Sequence, residues 1–133
     1  DAPLLTDLPA LLALASEAGL DVSFTETGRR RDLPPAAQTA VYRAVQEGVT
    51  NALKYAPPGT PCRVALAWRE TELEVAVVDS PGHVAGTPPR LPATGGRGLD
   101  GLRDRLRTIG GALESGTHED GFRLAARVPV GVR

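Results

Sequence analysis

Residues 35–56, PAAQTAVYRAVQEGVTNALKYA, set the strongest constraint on the fold of this chain. Val41, Ala44, Val45, Val49, Ala52 and Leu53 recur every three to four residues, which predicts a helix of about Pro35 to Ala56 with one apolar stripe. Pro34 and Pro35 open it and PPGTP breaks it. Such a stripe must be buried against another element. The segments that follow supply one: CRVALAW and ELEVAVVD alternate apolar and polar residues and are joined by RET, so they read as a β-hairpin with one buried face.

The rest of the chain completes the pattern. Residues 7–18 space Leu8, Leu11, Leu12 and Ala15 as a helix, with Thr6 or Asp7 as a cap and Gly19 as its end. DVSFT alternates as a short strand, and TGRRRDLPP connects it to the long helix. After the hairpin comes SPGHVAGTPPRLPATGGRG, a Pro/Gly-rich run without a regular pattern, of the kind that is usually functional or mobile in a compact domain. GLDGLRDRLRTIGG is an amphipathic helix with Leu99, Leu102, Leu106 and Ile109 inward, and ALESG and GFRLAARVPV finish as strands. The order α-β-α-β-β-loop-α-β-β predicts an α/β chain of the α+β two-layer type: one mixed, mostly antiparallel sheet with helices on one face. It reads as a single domain, 1–133, with residues 1–33 as an N-terminal helix, strand and connector.

Composition removes several classes of function. The net charge of −1 gives no bulk attraction to nucleic acid or an anionic membrane, so any anion site must be local. A single cysteine, Cys62, precludes an intrachain disulfide and points to a reducing compartment. No apolar run approaches the ~18 residues of a spanning helix. The chain begins at Asp1 and holds no Met, so it is expected to be a domain cut from a longer protein.

Three features carry chemistry. Glu47 and Asn51 lie one turn apart, with Arg43 and Lys54 on the same side of the long helix. A carboxylate and an amide oxygen suit Mg²⁺ and its waters, and Lys54 suits phosphate oxygens; a plain solvated helix face has the same composition. Asp79 ends an apolar strand, where it can accept a hydrogen bond from an exocyclic amine or simply start a turn. GGRGLDGL, residues 95–102, puts glycines before a helix, so that backbone N–H groups and Arg97 can meet an anion; a flexible linker reads alike.

Together these features resemble the ATP-binding catalytic domain of bacterial two-component sensor histidine kinases, a Bergerat-type fold shared with gyrase. VYRAVQEGVTNALKYA is similar to the family's N box, VVDSPG to its first glycine box, GGRGLDGLRDRL to its second and GFRLAARVP to its last strand. The form of residues 96–111 further resembles the subfamily whose response regulators carry helix-turn-helix domains. The resemblance spans residues 34–130 and implies specific roles. Asn51 would hold Mg²⁺ on the ATP phosphates, and Glu47 would orient water on that metal. Lys54 and Tyr55 would line the nucleotide. Asp79 would accept from the adenine amino group, with Gly82 beside it. Arg97, Gly98 and Leu99 would meet the phosphates, and residues 80–97 would form the ATP lid. The implied cofactors are ATP and Mg²⁺. The implied partners are an upstream dimerisation domain bearing the phosphoacceptor histidine, homodimeric in the full-length protein, and a response regulator, with no direct nucleic-acid contact. The implied location is the cytoplasm, including the cytoplasmic part of a membrane-bound sensor.

The first glycine box departs from the family pattern: Pro81 and His83 stand where glycines are usual. The last strand places Phe122 and Arg123 after Gly121, where many relatives have Thr. His83 and His118 match no phosphoacceptor motif, so the acceptor is expected outside this sequence. Two other readings stay open: an anti-sigma-factor-type serine kinase, and a degenerate nucleotide-binding module that serves as an interaction domain.

Overall fold

The computed structural model describes residues 1–81 and 97–131, apart from the side chain of Arg97. A 3₁₀ turn (Leu5–Asp7) leads into α1 (Leu8–Glu17), β1 (Asp21–Thr27), α2 (Pro35–Tyr55), β2 (Pro61–Trp68), β3 (Glu72–Asp79), α3 (Arg97–Thr108), β4 (Ala112–His118) and β5 (Gly121–Pro129). The element order is the one expected from the sequence.

Local chemistry sets most boundaries. Pro35 occupies the first turn of α2, where its missing N–H costs no hydrogen bond. Gly19 ends α1 at φ 114°, a left-handed conformation that favours glycine. Asp7 stands at the N-cap of α1, as expected, but its side chain makes no cap hydrogen bond there. Its carboxylate instead accepts from the Leu4 N–H at 2.8 Å, tying down the preceding turn.

The five strands form one sheet in the order β1-β2-β3-β5-β4. β1 runs parallel to β2, and the other pairs are antiparallel. β1 is longer than the DVSFT run suggested, because parallel pairing with β2 continues to Thr27↔Ala67. One face of the sheet carries Val64, Leu66, Val75, Val77, Leu124, Ala126 and Val128, all buried. Val41, Ala44, Val45 and Val49 of α2 and Leu102 and Leu106 of α3 complete the same core.

Gly48 fixes how closely α2 approaches the sheet. A Cβ there would lie 2.7 Å from Val77 Cβ and 2.8 and 3.0 Å from its two methyls. Leu53 departs from the expected stripe: it is 40% exposed, because the covered part of α2 ends at Ala52. Among the described residues no helix is long and apolar enough to cross a membrane.

Candidate functional site

β3 is the middle strand, flanked by β2 and β5, and its last residue is Asp79. The apolar alternation of ELEVAVVD buries this strand on its helix side and delivers a carboxylate to its C-terminal end. Asp79 is 2% exposed, an unusual environment for an acid unless it has a structural or binding role. Cys62 lies in register on one side and Phe122 on the other. Burial, and then the negative charge of Asp79, push the Cys62 thiol up to about 12. Next to Phe122, Gly121 is required by close approach: a Cβ there would overlap the Asp79 carbonyl and come within 3.0 Å of its Oδ1.

α2 carries the other expected residues in a graded row. Asn51 is buried at 5% exposure, Glu47 and Tyr55 are half-buried, and Lys54 is exposed. The expectation that Arg43, Glu47, Asn51 and Lys54 share one outer face holds only in part. Asn51 turns into the protein because it sits one residue before Ala52, where α2 is still pressed on the core.

α3 meets this row from the side. A Cβ on Gly98 would come within 2.5 Å of the Glu47 carboxylate, so the first turn of α3 lies directly against that acid. Leu99 is half-buried against the core and anchors the same turn. Beyond it, Arg43, Gln46 and Glu47 of α2 face Gly98, Gly101, Leu102 and Arg105 of α3 across a cleft of about 350 Å³. Arg43 donates to the Gln46 amide oxygen at 3.0 Å and lies 6.0 Å from the Tyr42 ring centre.

The structure thus brings Glu47 and Gly98 together, buries Asn51 and Asp79, and leaves Lys54 on the surface. Gly82, the Arg97 side chain, His83 and most of the 80–97 segment lie outside the described residues. His118 ends β4 on the sheet edge, with its Nε2 3.8 Å from Glu119. Among the described residues there is no group of three or more His, Cys, Asp or Glu able to hold a metal ion. Glu47 and Asn51 supply one carboxylate and one amide oxygen, hard donors of the kind that suit Mg²⁺ and its waters.

Sequence reasoning gave no place in the site to Cys62, Gly121, Gln46 or Arg105. Gly121 and Cys62 gain meaning only from register across the sheet. Arg105 was legible in principle, since residues 98, 101, 102 and 105 form one helical stripe.

No family model matches the chain. Over 129 residues, 95% of its length, it is 29% identical to the sensor histidine kinase YxjM of Bacillus subtilis (strain 168), and it spans 30% of that protein. Among solved structures it is similar to the catalytic domain of histidine kinase ThkA in a nucleotide-free form, with a TM-score of 0.68 at 18% identity, covering 96% of this chain and 94% of that one. It is also similar to the mycobacterial sensor histidine kinase MprB, with a TM-score of 0.63 at 18% identity over 95% of this chain and 96% of the other. A blue-light activated histidine kinase of Erythrobacter litoralis matches with a TM-score of 0.68 at 18% identity, over 96% of this chain and 42% of its own. The fold is that of histidine kinase catalytic domains.

Proposed function

We propose that this chain is the ATP-binding catalytic domain of a bacterial sensor histidine kinase, which binds Mg-ATP and passes the γ-phosphoryl group to a histidine on a separate dimerisation domain. The observation that carries this reading is the buried carboxylate of Asp79 at the end of the central strand, in a sheet covered by a helix bearing Asn51 and Glu47. A carboxylate is an acceptor-only group, so a ligand that meets it must donate. The adenine amino group is such a donor.

Asn51 would hold Mg²⁺, Glu47 would orient its water, and the first turn of α3 at Gly98 and Leu99 would face the phosphates with its N–H groups. Bound Mg²⁺ supplies neutralisation of the charge that develops on the phosphoryl oxygens. The chain's own contribution is position: it fixes the nucleotide so that the γ-phosphorus is in line with an incoming imidazole nitrogen. In that transfer the bond from phosphorus to the ADP oxygen breaks as the N–P bond forms. The response regulator would take the phosphoryl group from the histidine in a later step, and the helix-turn-helix type of regulator remains part of the proposal.

The test is a titration of the chain with ATP and GTP in the presence of Mg²⁺. ATP should bind more tightly than GTP, and Asp79→Asn should erase most of that preference. Equal binding of both nucleotides by the unaltered chain would leave Asp79 as a structural residue only. In the full-length protein the label should sit on an acid-labile phosphohistidine; acid-stable phosphate would favour the serine kinase.

A further inference from the structure

We infer that the cleft between α2 and α3 is an anion seat in which Arg43 and Arg105 read the terminal phosphate of the nucleotide. This rests on the nucleotide-binding reading above and extends it to two residues that lie beyond Glu47.

The first observation is an imbalance of partners on α3. Arg103 and Arg107 each pair with the aspartate three residues earlier, Asp100 at 3.3 Å and Asp104 at 3.5 Å. Arg105 has Leu102 and Gly101 at the equivalent positions, so the helix offers it no carboxylate. Among the described residues it forms no ion pair. It lines the cleft instead.

The second observation is the position of Arg43. It stands one turn before Glu47, the spacing that usually forms an ion pair along a helix. Its guanidinium nevertheless bonds to the neutral Gln46 amide at 3.0 Å. That bond fixes the side chain along the cleft wall and leaves its charge unneutralised. Glu47 in turn has no hydrogen-bond or ion-pair partner among the described residues, and its carboxylate lies against Gly98. The cleft therefore holds two arginines and one acid on facing helical stripes, and Leu102 also lines it. A net positive, partly enclosed wall of this kind favours an anion, and guanidinium forks match phosphate oxygens in geometry.

The third observation is direction. Asn51, Glu47 and Arg43 follow one another along α2, each step being one turn, ~6 Å, and the cleft begins at Glu47. A base held at Asp79 and a metal at Asn51 put the chain of phosphates on this line. The cleft continues this line past the metal, which places Arg43 and Arg105 at the terminal phosphate.

The experiment compares binding of Mg-ATP and Mg-ADP by calorimetry, for the unaltered chain, Arg43→Ala/Arg105→Ala and Arg43→Lys/Arg105→Lys. The alanine variant should lose about tenfold or more in ATP affinity while ADP affinity stays within about twofold. The lysine variant should recover part of the loss, because it restores charge without the fork. Thermal melting checks folding of each variant, and both arginines are outside the core, so melting should barely move. An unchanged ratio of ATP to ADP affinity in the alanine variant overturns the seat and leaves the nucleotide site standing. Failure of the unaltered chain to bind either nucleotide overturns both.

Discussion

Gly48→Ala tests how the site is built from its scaffold. In an ordinary helix interior this change gains about 1 kcal/mol, since alanine is the better helix former. Here the new methyl would sit 2.7 Å from Val77 Cβ and 2.8 and 3.0 Å from its methyls, where carbon atoms normally rest ~3.5–4.0 Å apart. Turning Val77 about χ1 gives no relief, because its Cβ is fixed to the backbone of the central strand. α2 must therefore lift by roughly 0.7–1 Å, a loss of packing worth about 1–3 kcal/mol. The balance is a destabilisation of ~1 kcal/mol, or roughly 3–5 °C in Tm for a domain of this size. Glu47 and Asn51 flank the displaced residue, so Mg-ATP affinity should fall about tenfold, more than the stability loss alone explains. Gly101→Ala is the internal comparison. A Cβ there meets nothing within 4 Å, so it should stabilise by ~0.5–1 kcal/mol. Urea unfolding of the three proteins decides the matter. If Gly48→Ala stabilises as Gly101→Ala does, the close approach of α2 to β3 is wrong, and with it the placement of the site.

Three further outcomes follow from packing and charge. Leu53→Ala should cost less than about 1 kcal/mol, whereas Leu73→Ala, at a fully buried position on the central strand, should cost ~2–5 kcal/mol in the same urea experiment. Glu26 accepts from Arg30 at 2.8 Å and from Trp68 Nε1 at 2.7 Å; the Arg30 bond, aided by that of Trp68, holds its carboxyl below the usual range against the opposing effect of burial. A depressed folded-state value means stability that is present above the ordinary glutamate range and lost as pH falls below it. Glu26→Gln should therefore flatten the acid limb of a melt followed by the emission of Trp68, the only tryptophan; an unchanged limb would remove Glu26 from the account. Cys62 is fully buried with its thiol pushed up to about 12, so a thiol reagent at pH 8 should label it only as fast as the domain opens; labelling at the rate of a free thiol would place it elsewhere.

The fold was legible wherever the information is local. Spacing of apolar residues located every helix and strand, and the prolines and glycines set their ends. What was not legible is what depends on partners distant in sequence. The parallel register of β1 on β2 has no signature in DVSFT itself, so that strand was read short. Leu53 fits the stripe of α2 at 100° per residue, but the buried part of the helix ends at Ala52, and only the tertiary structure says where a stripe stops being covered. The site divides in the same way. Glu47, Asn51 and Asp79 announce themselves by chemistry that their elements do not need. The contact of Glu47 with Gly98, the close fit of Gly121 on Asp79 and the facing arginines of α2 and α3 join residues far apart in the chain, and no window of sequence contains them.

The parallel pairing of β1 with β2 also sets an order of assembly. The hairpins β2–β3 and β4–β5 join strands separated by short turns, so their closure costs little entropy and can come early. β1 reaches β2 only across the whole of α2 and its connectors, with Asp21 beside Pro61, and α2 cannot be seated until both of its ends are tied. The helix that bears Glu47 and Asn51 is then among the last elements to lock, and a chain with both hairpins formed would still have no place for a nucleotide. In refolding followed by stopped flow, Mg-ATP binding should appear with the slowest phase, while pulse-labelled hydrogen exchange protects β3 and β5 before β1. Occupancy by nucleotide would then be a record of completed folding.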